Sequence, residues 1–350
     1  MAKSYFLHQS DAKSNTFKLV LGYIIGLLLV PVLLNVIIIL LDDTKDFTTQ
    51  DHLKLYAITV GVCAVPVLIG SLFYYYKYSG PGYKVAEAFG ASPIEDFEEN
   101  FNLKQLKNIV EELSFASGIK CPKIYILEDP TINAFAAGST IDNSIICVNT
   151  GTLDQLNRSE ISGVIAHEFS HIVNRDVNIN IKIGTLIAGF SSLCILGWYI
   201  IKIVCSGSSS SSRSSNSKGN SGILGILIIG FTIMVLGFIW KFYSVIISAA
   251  ISRQREYLAD ATAVSYTRDD SIARALIKIQ KNTQKSTINA SQKETCSHMF
   301  FSSEKKAGLF DSHPPLENRI KRAKEMSFSH YQDESEEENT EEKDESKQEQ

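Results

Sequence analysis

The chain has 350 residues, 45% of them hydrophobic and 21% charged, and 34 Lys plus Arg against 38 Asp plus Glu give a formal net charge of −4. That length allows one large domain or two smaller ones with a sizeable core, and with this charge balance nucleic acid is not expected as a partner. The six cysteines show no C-x-x-C spacing, so neither a disulfide framework nor a cysteine-rich zinc site is suggested.

Charges avoid four segments. The first, Leu19 to Leu41, reads "LVLGYIIGLLLVPVLLNVIIILL" without a charge in 23 residues, against the roughly 20 apolar residues a bilayer span needs. It is too long for the apolar part of a signal peptide and no A-x-A site follows, so it should remain as an anchor. The second, Leu55 to Tyr76, ends in "YYY", an aromatic cluster suited to the headgroup level, with Lys77 directly after it.

Residues 101–118, "FNLKQLKNIVEELSFASG", repeat apolar positions at helical spacing and stop at Gly118, which predicts one amphipathic helix. "PKIYILED" and "SIICVNTG" follow as strands, with "PTINAFAAGSTIDN" between them carrying shorter extended pieces and turns. A small sheet is therefore expected ahead of the next helix. That helix starts at Asn157, with Glu160 three residues on as in a capping box, and contains "VIAHEFSHIV". His167 and His171 stand one turn apart on one face, with Glu168 directly after the first. A lone His on an apolar face is usually a satisfied core residue. H-E-x-x-H is a stronger pattern, because two neutral imidazoles one turn apart can bind Zn²⁺ and the adjacent carboxylate can take a proton from the water that the metal activates.

The third apolar segment, Ile183 to Val204, has only Lys202 near its end, and the fourth is Gly222 to Trp240. A buried hairpin of a soluble protein is the alternative for these two. Between them "SGSSSSSRSSNSKGNS" reads as a disordered, solvated loop. Lys3, Lys13 and Lys18 precede the first span, while Asp42 to Lys54 carries four aspartates against two lysines, so the N-terminus is expected in the cytoplasm. Even numbers of spans then place residues 77–182 and the chain after 240 on that same side.

A catalytic zinc needs a third protein ligand, and the candidate lies in "SRQREYLADA", residues 252–261. Glu256 and Asp260 are four apart on a helix lined by Ala249 and Ala263, which are small enough for another helix to approach closely. Glu256 is placed as third ligand and Asp260 as acceptor of a ligating histidine's outer N–H. An ordinary solvated Arg/Glu face is the competing reading. The tail from Gln332 holds ten acidic and two basic residues, so removing its −8 would turn −4 into about +4. It reads as disordered and solvating.

"AHEFSH" and "SRQREYLADA" across an apolar hairpin, preceded by "INAFAAG" and followed by "SHPPLENRI", resemble the HtpX-like integral-membrane zinc metalloproteases, relatives of the CAAX prenyl proteases. The likeness covers roughly residues 80–325, while the first two spans match in architecture only. It implies a gluzincin site with one Zn²⁺ per chain on His167, His171 and Glu256, and Glu168 as general base. It further implies that Asn133, Ala134, Phe135 and Ala136 edge a cleft where an extended substrate pairs as an added strand. His313 and Arg319 would face the cleft and stabilise the oxyanion or a latent state, whereas His298 matches no ligand position and is taken as structural.

The expected fold is a mainly α membrane protein: a zincin-like α+β catalytic domain with a small sheet and an HExxH helix, plus two transmembrane helical hairpins. The expected division is an N-terminal hairpin over 1–80, protease segments over 81–182 and 241–330, a second hairpin over 183–240 and a tail over 331–350. The expected function is zinc-dependent endoproteolysis of misfolded or damaged membrane proteins at the cytoplasmic face of a bacterial inner membrane, the bilayer and polypeptide substrates being the partners. A prenyl-type CAAX protease is the alternative within the superfamily, disfavoured by too few spans for a large helical chamber. An inactive membrane scaffold is the alternative outside it.

Overall fold

The computed structural model of the chain describes residues 5–41, 49–94, 100–207, 217–281 and 313–327. His298, most of the serine-rich loop and the acidic tail lie outside the described residues. Internal contacts divide the chain into two compact units, one built on residues 79–179 and 249 onward, the other on 14–78 and 180–248.

The second unit is helical. Helices α1 (Tyr5–Leu41), α2 (Thr49–Tyr78), α7 (Asp176–Gly207) and α8 (Ser217–Thr267) are each long and apolar enough to cross a membrane. Between them Val30, Leu34, Cys63, Val67, Phe190, Leu193 and Ile233 form a buried cluster, and Asn35 donates to the Thr59 hydroxyl at 3.2 Å. Glycines let these helices come close: an added Cβ at Gly197 would lie 2.5 Å from the Gly230 carbonyl oxygen and one at Gly237 would lie 2.8 Å from the Leu193 Cβ, the kind of contact usual between membrane helices. Leucines and aromatics such as Leu28, Leu40, Leu72 and Phe73 stay exposed on the outer faces, where lipid rather than water is the matching solvent. Pro31 and Pro66 sit inside α1 and α2, a placement tolerated in membrane helices.

Helix α7 runs through the expected division at 182/183, and the limits of α8 also differ from the sequence reading. Helix α8 starts at Ser217, inside the expected serine-rich loop, and continues unbroken past Trp240 through Glu256 to Thr267. The fourth apolar segment and the "SRQREYLADA" helix are thus one element of 51 residues. No proline or glycine follows Gly237 within it, so nothing ends the helix at the expected boundary at 241.

The first unit holds a four-stranded sheet in the order β1-β2-β4-β3, from β1 (Ser92–Pro93), β2 (Lys123–Leu127), β3 (Ala134–Ala137) and β4 (Ile145–Asn149). β2 and β4 are parallel, whereas β3 runs antiparallel to β4 and forms an edge. Around it lie α3 (Gly82–Ala88), α4 (Phe101–Ser117), α5 (Thr150–Gln155), α6 (Arg158–Val173), α9 (Ser271–Lys281) and a helix α10 over 316–327. The amphipathic α4 buries Leu106, Ile109, Val110 and Leu113 and ends where Gly118 takes φ 67°, a left-handed stop that favours glycine. Helix α6 is the centre of this unit, sharing one apolar core with α4, α9 and the sheet. At Gly163 a Cβ would sit 2.6 Å from the backbone N of Ile272, so only glycine lets the start of α9 come this close.

Candidate functional site

Helix α6 begins with the expected capping box: Asn157 Oδ1 accepts from the Glu160 N–H at 2.9 Å, and Glu160 returns the bond to the Asn157 N–H at 2.9 Å. Lys278 on α9 adds a 2.6 Å ion pair to Glu160. With its start fixed on both sides, α6 carries the buried His167 and Glu168 and the half-buried His171 to a place beneath β3. The two imidazoles stand 4.8 Å apart, nearly perpendicular at 87°.

Helix α8 supplies the other side. The Nε2 atoms of His167 and His171 are 3.1 Å apart, and Glu256 brings Oε2 to 3.7 Å from the first and Oε1 to 3.7 Å from the second. The outer nitrogens are engaged elsewhere. His167 Nδ1 is 2.9 Å from Asp260 Oδ1 and His171 Nδ1 is 2.7 Å from Asp176 Oδ2. An ionised carboxylate only accepts, so each Nδ1 carries the proton and both Nε2 lone pairs turn toward Glu256.

Arg319 on α10 is fully buried and holds Asp260 with two bonds of 2.8 and 2.7 Å, with its third nitrogen 2.9 Å from Glu256 Oε2. Burial alone would lower its pKa, but Asp260 and Glu256 more than offset that, so the guanidinium stays charged. His313, just ahead of α10, brings Nδ1 to 3.2 Å from the same Glu256 oxygen. Arg255, next to Glu256, pairs with Asp176.

Whether this cluster fits a cation can be judged from its own atoms. Two nitrogens bound to one tetrahedral zinc at about 2.0–2.1 Å lie about 3.3 Å apart, close to the separation seen. In charge, the buried set holds four carboxylates (Glu168, Asp176, Glu256, Asp260) against two guanidiniums (Arg255, Arg319). With neutral imidazoles and Glu168 ionised, four minus two leaves an excess of −2, which a divalent cation cancels. His₂Glu is also the donor set of catalytic zinc sites with an open position. The residues fit the metal.

The sequence-designated edge strand is divided in its contribution. Ala136 N–H donates to Glu168 Oε2 at 2.7 Å. Asn149 N–H donates to Asn133 C=O at 2.9 Å, and antiparallel pairing alternates, so Phe135 and Ala137 turn their backbone groups to β4 while Ala134 and Ala136 turn theirs to the outer edge. Phe135 lies away from the histidines: its ring packs with Phe89, Tyr125 and Leu127 on the other face of the sheet, because side chains alternate along a strand. The Asn133 backbone is tied to Thr152. Asp176 and Arg255 were not singled out from the sequence. A carboxylate five residues beyond the second histidine was the available signal.

Burial pushes the Glu168 carboxyl up to about 7 and the His167 imidazole down to about 4. In metal-free protein these act oppositely on stability. Folded Glu168 keeps a proton that the unfolded chain releases between 4.5 and about 7, so stability falls as pH rises through that window. Folded His167 refuses a proton that the unfolded chain accepts between about 4 and 6.5, so stability rises as pH rises there. Each is worth on the order of 3 kcal/mol. Metal-free Glu168→Gln should therefore show a steeper rise in melting temperature from about pH 4 to 6.5 than the parent, with no decline toward 7. Parallel profiles for the two proteins would show that Glu168 does not hold a proton near neutrality.

Residues 101–327 match the family described as Peptidase family M48. The protease HtpX homolog of Caldanaerobacter subterraneus subsp. tengcongensis is 41% identical over 226 residues, 64% of this chain and 72% of that protein. Those of Dictyoglomus thermophilum (36% over 256 residues, 72% and 78%) and Listeria monocytogenes serotype 4a (40% over 230 residues, 63% and 73%) are similar. Among solved structures, S. mikatae Ste24p aligns at 21% identity with a TM-score of 0.41, covering 87% of this chain and 66% of that one. The family match runs from α4 to α10, takes in every residue of the His/Glu cluster and includes two of the four long apolar helices: the chain belongs to peptidase family M48 and is a membrane metalloprotease.

Proposed function

We propose that the chain is a zinc endopeptidase that cleaves misfolded or damaged membrane proteins at the cytoplasmic face. The observation that carries the metal part is the convergence of His167 Nε2, His171 Nε2 and a Glu256 oxygen within 4.8 Å of one another, with both histidine tautomers set by carboxylates. Zinc held by these three would supply a Lewis acid for the scissile carbonyl and make the attacking water more acidic.

The chain's own residues do the rest. Glu168, buried and with its basicity raised toward neutral pH, is the base that takes the water's proton and passes it to the leaving amine. The Ala136 N–H fixes one of its oxygens. The outward groups of Ala134 and the C=O of Ala136 offer an extended segment main-chain bonds as an added strand, so any sequence in extended form is a partner. That suits quality control, where substrates share unfolding rather than a motif. Arg319 is committed to Asp260 and Glu256 and keeps the third ligand in place, which leaves His313, at the Glu256 side, to donate toward the developing oxyanion. The cytoplasmic side follows from the lysines that precede the first span.

Sealed membrane vesicles of both orientations test this reading. An unfolded protein added outside should be cut by inside-out vesicles, not by right-side-out ones, and a zinc chelator should stop the cleavage. Cleavage that survives the chelator would sink the metal assignment, and cleavage by right-side-out vesicles alone would reverse the orientation.

A further inference from the structure

The two metal-facing histidines are held alike, each by a carboxylate that is itself held by an arginine. His167 meets Asp260, which meets Arg319; His171 meets Asp176, which meets Arg255. The second chain has a different construction. Asp176 opens α7, only five residues after His171, and is brought back beneath that ring by a two-residue connection. In that connection Asn174 N–H donates to Ser170 C=O at 2.9 Å, Asn174 Nδ2 donates to Ser170 Oγ at 3.0 Å, and Arg175 takes φ 56°. A non-glycine residue in the left-handed region is uncommon, and here it is what lets α6 end and Asp176 return. Arg255 comes from α8, directly before Glu256. Both members of the pair are buried, at 3% and 8% exposure.

We infer that the Asp176–Arg255 pair is a latch that fixes the His171 ring for the metal and docks the Glu256-bearing turn of α8 against it. Asp176 and Arg255 are positioning residues, acting through His171 and Glu256. One oxygen of Asp176 orients the imidazole and the other receives the guanidinium, so a single carboxylate joins the two metal motifs, which lie far apart in the chain. Removing the acceptor frees the ring to rotate and its tautomer to change, and outer-sphere losses of this kind typically weaken metal binding about 10- to 100-fold. This rests on the zinc reading above.

The test measures zinc affinity of full-length protein in detergent by competition with a chromophoric chelator, beside the melting temperature of the metal-free form. Asp176→Ala should bind zinc about 10- to 100-fold more weakly. Asp176→Asn, which keeps an oxygen for the His171 N–H, should lie nearer the parent. The decisive variant is the exchange Asp176→Arg with Arg255→Asp. It restores an ion pair between the helices but sets a guanidinium against an Nδ1–H, and two donors cannot bond. Zinc affinity should therefore stay as low as in Asp176→Ala even where the melting temperature recovers. If the exchange recovers both, the pair is only a tie between helices and the inference is overturned, as it is if Asp176→Ala binds zinc like the parent. Should Asp176→Ala not fold, Asp176→Asn and the exchange decide alone. Failure of the parent itself to bind zinc would instead strike the proposed function.

Discussion

Replacing Glu168 by glutamine is expected to leave zinc bound at one per chain while hydrolysis falls by several orders of magnitude. The carboxylate lies next to His167 in sequence but belongs to a different set of contacts: its Oε2 accepts from Ala136 N–H at 2.7 Å, and it is not among the three residues that converge on the metal position. An amide keeps the size and can still accept that bond. What it loses is basicity. General-base catalysis alone accounts for about 10² to 10⁴, and the loss should exceed this range because water activation and proton delivery to the amine both pass through one group. Because the buried carboxyl is pushed up to about 7, activity of the parent in the limb governed by this group should fall as the pH drops and the base becomes protonated. Zinc content by elemental analysis and cleavage of an unfolded protein, measured on the same preparation, check the expectation. A variant that loses zinc along with activity would mean that Glu168 serves the metal and that the base is another residue.

What could be read from the sequence follows how local its causes are. Helix α4 carries its apolar period, an Asn100 cap and a Gly118 stop within its own residues, and the structure places Phe101–Ser117 there. The box of Asn157 and Glu160 is equally local, as is the apolar length of the four long helices. The H-E-x-x-H pattern has its meaning in one turn of helix. Beyond that turn the causes become tertiary. Helix α9, whose backbone packs against Gly163, was not anticipated, because a short segment with Arg274, Lys278 and Lys281 reads as a solvated face until Glu160 and Asp269 are known to stand opposite it. The two-residue β1 exists only through its register with Tyr125 and Ile126 on β2. At the site, the sequence pointed to Glu256 and Asp260 through their own spacing. Asp176 and Arg255 remained invisible because their pairing depends on two distant helices meeting. For Phe135 the motif was read as one stretch, whereas strand alternation gives its residues to opposite faces.

Glu256→Gln should behave unlike Glu168→Gln, with zinc content and activity falling together. Its oxygens stand 3.7 Å from both histidine Nε2 atoms, and the substitution turns an anionic ligand into a neutral, weaker one. A second cost falls on the protein itself. Arg319, buried at 0% exposure, has Glu256 Oε2 at 2.9 Å. Breaking a buried ion pair from one side typically costs about 3–5 kcal/mol, although the two bonds from Asp260 to the same guanidinium should hold the loss toward the lower end. A lower melting temperature of the metal-free variant is therefore expected as well. Asp260→Ala separates the two effects, since it removes a partner of Arg319 and of His167 without removing a metal-facing atom. Zinc should then bind about 10- to 100-fold more weakly and activity should return at saturating metal, which Glu256→Gln should not allow. The measurement is zinc stoichiometry, cleavage rate at saturating zinc and metal-free melting temperature for the three variants side by side. If Glu256→Gln keeps full zinc and near-normal cleavage, the third ligand is another residue, and α8 contributes to the site only through the carboxylates that pair with Arg319.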